Sequence, residues 1–162
     1  MELSINEALN KKKQHILSKW QLAAFSTYAN HDLLMGKKQR SRFSDPIAFV
    51  IEESTKEIFE WLLKDGNQVD LFTPLEEICR LRAIQEIKPS EALHFIFDLK
   101  QIIREELTDE NQTNYWAVEL WDVDKRIDEI GWLAFDIYSD CRAKICELRI
   151  NEIKRMVGRD AG

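Results

Sequence analysis

The chain has 162 residues, 44% of them apolar and 32% charged, with a formal net charge of −6. That length suits one domain with a real core, here residues 1–162, and the composition excludes a disordered polymer. The acidic balance argues against a nucleic-acid binder, which needs a basic face.

No apolar run reaches membrane-spanning length, and the opening Met1-Glu2-Leu3-Ser4 lacks a secretory pattern, so neither insertion nor export is expected. Three cysteines without metal-site spacing fit a reducing cytoplasm better than a disulfide scaffold. With only 5 glycines and 3 prolines, the chain has few breakers and suits long helices. No strand signal of any length interrupts them, so the fold class is all-α, with five or six helices and a long C-terminal one.

Taken in order, the first helix starts at a capping box of Ser4 and Glu7 and runs to about Tyr28. Leu9, Ile16, Trp20, Ala24 and Tyr28 form its inward stripe, and Lys11, Lys12 and Lys13 a solvated face. Residues 30–44 read as a loop. Its run Lys37, Lys38, Arg40 and Arg42 is a cationic patch in an acidic protein, and a candidate contact for an acidic partner. Ser44-Asp45-Pro46 opens the next helix with a polar cap and a proline in the first turn. Phe49, Val50, Ile58, Phe59, Leu62 and Leu63 carry its packing, and Lys64-Asp65-Gly66 stops it. Residues 67–72 read as a bridge.

The chain is organised around two helices over Leu75–Leu107. Thr73 is expected to cap the first, with Pro74 at its first position and Glu76 reaching back. Lys88-Pro89-Ser90 is the corner, with Ser90 capping the second. That second helix is apolar over more than half its circumference: Leu93, Ile96, Phe97, Ile103 and Leu107 on one side, Phe95, Leu99 and Ile102 beyond. Two cations fall inside apolar arcs, Arg82 on the first helix and Lys100 on the second. Each needs a partner, a helix-end carbonyl or a route to water. Together they are the candidate internal site for an anion or a partner's carboxylate.

After a polar break at Thr108–Asn114, the segment from Tyr115 to Val157 is one long helix or two bent near Gly131. It carries two apolar stripes. Trp116, Val123, Ile127, Ile130, Ala134, Ile137, Cys141, Ile145 and Leu148 face the core. Trp121, Trp132, Phe135, Ser139, Ala143, Cys146 and Ile150 form an opposite seam, whose later members advance by threes and fours as in a coiled coil. A surface helix of a monomer needs only one buried stripe, so the seam is expected to be an isologous homodimer interface.

Nothing in the sequence assembles a catalytic group. His15, His31 and His94 have no metal-type spacing beyond the weak set of Glu91, His94 and Asp98. No base activates a serine or cysteine, and no glycine-rich loop cradles phosphate. Cys79 and Cys141 lie on inward stripes as core residues, whereas Cys146 lies on the seam, where two copies could meet under oxidation. A DNA-reading helix pair is disfavoured because Glu91, Asp98 and Glu105 face outward. No cofactor, metal or enzymatic activity is expected.

The string Leu81-Arg82-Ala83-Ile84-Gln85, then Lys88-Pro89-Ser90-Glu91-Ala92, then Phe95-Ile96-Phe97-Asp98-Leu99-Lys100 resembles the N-terminal domain of RsbT co-antagonist proteins of the RsbR/RsbRD type. Trp20, Asp45-Pro46, Asp136, Tyr138, Arg142, Arg149 and Glu152 match it too, so the likeness spans nearly the whole chain. The resemblance implies a globin-like helical bundle without haem, dimeric through its terminal helices, acting as a sensory or regulatory module. Full-length relatives carry an output domain after this one and join the stressosome, an assembly that controls a kinase. A chain that ends at Gly162 leaves no room for that output domain, so a stand-alone cytoplasmic regulator with an unidentified protein partner is expected. The alternative is a haem- or small-ligand-binding globin-type protein or small enzyme.

Overall fold

The computed structural model describes residues 3–26, 45–64, 66–108 and 116–160, and over these it is entirely helical apart from turns and caps. Among the described residues six helices follow one another: α1 (Ile5–Lys11), α2 (Lys13–Phe25), α3 (Pro46–Leu63), α4 (Gln68–Ile84), α5 (Pro89–Thr108) and α6 (Ala117–Asp160). The all-α class and the long last helix stand as expected, in a bundle consistent with a globin-like family.

The five longer helices close a ring. α2 packs on α5, α5 on α6, α6 on α4, α4 on α3, and α3 back on α2. The apolar stripes point into it, and α5 contributes the most one-sided set, with Phe95, Ile96, Leu99 and Ile103 all buried. Trp20 is the largest wholly buried side chain of α2. Its indole Nε1–H donates to the Phe95 carbonyl at 2.7 Å, and the two rings lie 6.0 Å apart. A ring buried and satisfied in this way is worth roughly 3–5 kcal/mol against truncation to alanine.

Local chemistry explains most helix ends. Ser4 and Glu7 make the reciprocal capping box, with Glu7 N–H to Ser4 Oγ at 3.2 Å and Ser4 N–H to Glu7 Oε2 at 2.9 Å. Asp45 accepts from Ala48 N–H at 3.2 Å ahead of Pro46. Three ends differ from expectation. The first helix is interrupted at Lys12 (φ −94°, ψ 5°), which divides α1 from α2. α4 begins at Gln68 rather than after Thr73, so Thr73 is no cap and Pro74 lies inside the helix. The cause is tertiary: Leu71 is wholly buried, and core packing of that extra turn outweighs the hydrogen bond that Pro74 cannot make. α5 begins at Pro89 itself, with Ala92 N–H bonding the Lys88 carbonyl at 2.9 Å, so Ser90 stands within the first turn rather than capping it.

The corner between α4 and α5 turns through Glu86 in the left-handed region, at φ 60°. α6 holds this corner. Tyr138 Oη donates to the Ile87 carbonyl at 2.6 Å, Arg142 Nη1 donates to the Ala83 carbonyl at 2.8 Å, and Arg149 forms an ion pair with Glu86. The Ala83 carbonyl at the end of α4 and the Ile87 carbonyl beyond it thus each take a donor from a different helix, which helps fix where α4 ends and where α5 departs.

Candidate functional site

α6 is one helix through Gly131, and two helices ending on either side of that residue are not formed. Gly131 is needed for closeness rather than for a bend. A Cβ there would stand 2.5 Å from Cζ of Phe97, so α5 and α6 approach at that point without a side chain between them. On one side of this contact, over the next two turns of α5, the helices are tied by charge. Lys100 Nζ pairs with Asp128 Oδ1 at 2.6 Å, and Arg104 pairs with Asp124 through both guanidinium nitrogens, one of them at 2.8 Å. Arg126 ties α6 to α3, donating to the Trp61 carbonyl at 2.8 Å with its guanidinium 5.0 Å above the Trp61 ring.

The two stripes of α6 separate cleanly along its first seven turns. Trp116, Val123, Ile127, Ile130, Ala134, Ile137 and Cys141 are buried, and Ile145 is half-buried. The inward reading fails at Leu148, which is 68% exposed. α4 has ended by then at Ile84, so among the described residues nothing covers the last turns of α6. On the other flank every seam residue is exposed, from Trp121, Trp132 and Phe135 through Ser139, Ala143 and Cys146 to Ile150. The seam also goes further than the sequence reading took it. Ile153 and Val157 continue the steps of three and four and are exposed as well. The spacing alone carried that signal.

Beside the seam, between the first half of α5 and the middle of α6, lies a groove of about 540 Å³. Leu93, Phe97 and Gly131 line it together with Trp132 and Phe135, and the lining is almost wholly apolar. His94 and Ser90 are the polar members of the lining, and His94 Nδ1 pairs with Asp98 at 3.0 Å. No pattern in the sequence announced this groove, because its two walls come from helices separated by the polar break.

Arg82 and Lys100 are not brought together. Phe95 and Phe97 point to opposite sides of α5, and each cation lies over a different one: the Arg82 guanidinium 5.3 Å from the Phe95 ring centre, Lys100 Nζ 5.9 Å from that of Phe97. Arg82 is wholly buried, donates to the Ala24 carbonyl at the end of α2 and reaches Gln85 Oε1 at 3.4 Å. It also borders a cleft of about 260 Å³ with Ser26, Ser90, His94 and Asp98. Lys100 reaches water beside Asp128. A helix-end carbonyl for one and a carboxylate for the other are the outlets that buried cations require.

Burial pushes the Cys79 thiol up to about 12 and raises that of Cys141, so both are poor nucleophiles near neutrality. Cys146 is exposed on the seam. His15 and His94 lie at the surface, and His31 lies outside the described residues. So does the cationic run Lys37, Lys38, Arg40 and Arg42. Among the described residues, no grouping of histidine, cysteine and carboxylate could hold a metal ion, and no helix is long and apolar enough to cross a membrane.

No solved structure matches the chain. An uncharacterised protein of Archaeoglobus fulgidus is 30% identical over 108 residues, which cover 65% of this chain and 68% of that protein. The family model described as the RsbT co-antagonist protein rsbRD N-terminal domain matches residues 16–153. That span takes in the α4–α5 corner, the three α6 side chains that hold it and most of the exposed seam, and the chain therefore belongs to the rsbRD N-terminal domain family of RsbT co-antagonist proteins, a family of regulatory signalling domains rather than enzymes.

Proposed function

We propose that this chain is a non-enzymatic signalling protein that works as a homodimer, paired through the outer flank of α6, and regulates a protein partner in the cytoplasm. The observation that carries this reading is the row of exposed apolar side chains on that flank, with Trp121 66%, Trp132 70%, Phe135 50% and Ile150 52% exposed in the single chain. Soluble monomers rarely leave so continuous a patch in water, and a twofold pair buries it at a stroke. Ile150 and Val157 alternate with Cys146 and Ile153 as the two core positions of a heptad, the spacing of a helix that pairs with another along that seam.

The pairing helix is also the helix that holds the α4–α5 corner through Tyr138, Arg142 and Arg149. A signal received at that corner would reach the dimer seam along one rigid element, provided it favours one packing of α6 over another by a few kcal/mol. The partner is a protein that reads this paired surface, and the run Lys37, Lys38, Arg40 and Arg42 offers a second contact to acidic groups.

Sedimentation velocity of the whole chain at micromolar concentration tests the pairing. The wild type is expected to run as a dimer, and Ile150→Glu as a monomer with unchanged helical circular dichroism. A monomeric wild type would remove the basis for the proposal.

A further inference from the structure

We propose that the apolar groove beside Gly131 is the socket for Trp132 of a second copy, so that each protomer of the dimer offers one knob and one hole. This rests on the homodimer reading given above and adds what that reading leaves open, namely how the body of the molecule, and not only the end of α6, takes part.

The knob and the socket belong to one patch. Trp132 is 70% exposed, stands on the seam, and is itself one wall of the groove. In a twofold pair whatever one copy inserts it must also receive, which demands protrusion and cavity side by side on the same face. That is the arrangement around Gly131. The floor is Leu93 and Phe97, reached because Gly131 keeps the two helices close, and Lys100–Asp128 and Arg104–Asp124 hold those helices in place. The hole is therefore preformed rather than opened by the incoming ring.

Size and chemistry favour an indole. A volume of about 540 Å³ lies within the roughly 300–1,000 Å³ of sites that engulf a compact ring system, and exceeds one indole, leaving room for the flanking Phe135. A buried indole N–H needs an acceptor, and His94 and Ser90 in the lining supply a ring nitrogen and a hydroxyl. Apart from these two, the lining side chains are apolar and offer nothing to satisfy a charged ligand. Rings this size bury roughly 150–250 Å² each, so Trp121, Trp132 and Phe135 with Ile150 and Ile153 bring a symmetric pair to on the order of 1,000 Å², the lower edge of a specific interface.

Sedimentation equilibrium of the full chain tests the socket with Trp132→Ala, which removes the knob, and His94→Trp, which fills the groove from an exposed lining position. Each is expected to raise the dimer dissociation constant by about tenfold or more while the helical signal and thermal midpoint persist. The double variant is expected to be no weaker than the worse single one, because both changes empty the same contact. Wild-type-like dimers from both single variants would overturn the socket and leave the homodimer standing, whereas a monomeric wild type would overturn both. Additive losses in the double variant would also overturn it. So would stoichiometric binding of 8-anilinonaphthalene-1-sulfonate to the wild-type dimer that His94→Trp abolishes, since the groove would then be a small-molecule site open within the dimer.

Discussion

Arg82 is a wholly buried cation whose charge goes to the Ala24 carbonyl, the Gln85 side chain and the face of Phe95. It joins α4, α2 and α5 at one point. Arg82→Ala leaves a hole there and strips a helix-end carbonyl of its donor, so a loss of about 3 kcal/mol is expected, read as a lower urea midpoint. Arg82→Met, which keeps most of the volume, is expected to lose less, and equal losses would show that charge rather than packing matters at this site. Residue-scale features of this kind were half legible in the sequence. Helical spacing placed Arg82 and Lys100 inside apolar arcs and named a carbonyl or a carboxylate as the outlet. It could not say that Ala24 and Asp128 were the partners, because each lies on another helix. Nor could it separate the two cations to opposite sides of α5, since that follows from where α2 and α6 pack.

α6 carries the family's distal residues, the corner's donors and the seam, and these divide it into a docked length and a free one. Up to Arg149 its side chains bond or bury against α3, α4 and α5; from Ile150 to Arg159 every residue is exposed. A chain cut after Arg149 is therefore expected to keep the thermal midpoint of the bundle and to lose at least about tenfold in dimer affinity. Differential scanning calorimetry beside sedimentation separates the two effects, and a midpoint that falls with the cut would mean that the free turns stabilise the monomer. The two stripes were readable because their period is set by the helix itself. Leu148 was misplaced because periodicity says which face a residue occupies and not whether a neighbour is there to meet it. The same limit hid the start of α4: Thr73-Pro74 is a sound local stop signal, and only the burial of Leu71 overrules it.

Across the whole molecule, the ring of helices is closed at the α2–α5 and α2–α3 joints by ion pairs between lysine and glutamate. Lys19 Nζ meets Glu106 Oε1 at 2.6 Å, and Lys13 Nζ meets Glu60 Oε1 at 3.0 Å. The hydrogen bond from Lys19 holds the Glu106 carboxyl below its ordinary value of 4.5 against the opposing pull of burial, and Lys13 does the same for Glu60. A carboxylate whose folded pKa lies below its unfolded one adds stability that is complete above the unfolded value and is lost as pH falls through the folded one. Stability should therefore be level near neutrality and decline below about pH 4.5. Below the isoelectric point of about 5.2 the chain is net positive, so further protonation adds self-repulsion and works in the same direction. Contact pairs are the larger part of the effect, since distant surface charges are screened within about 8–10 Å at ordinary salt. Glu106 is the informative member, with a side chain only 11% exposed, where a charge-assisted hydrogen bond is worth about 1.5–3 kcal/mol. Glu106→Gln is expected to lose about that much at neutral pH, and its difference from the wild type to shrink as pH falls below about 4.5, where the wild-type carboxylate begins to be protonated. Urea midpoints of both proteins across that range decide it, and curves that stay parallel down to acid would show that Glu106 is not held ionised by Lys19.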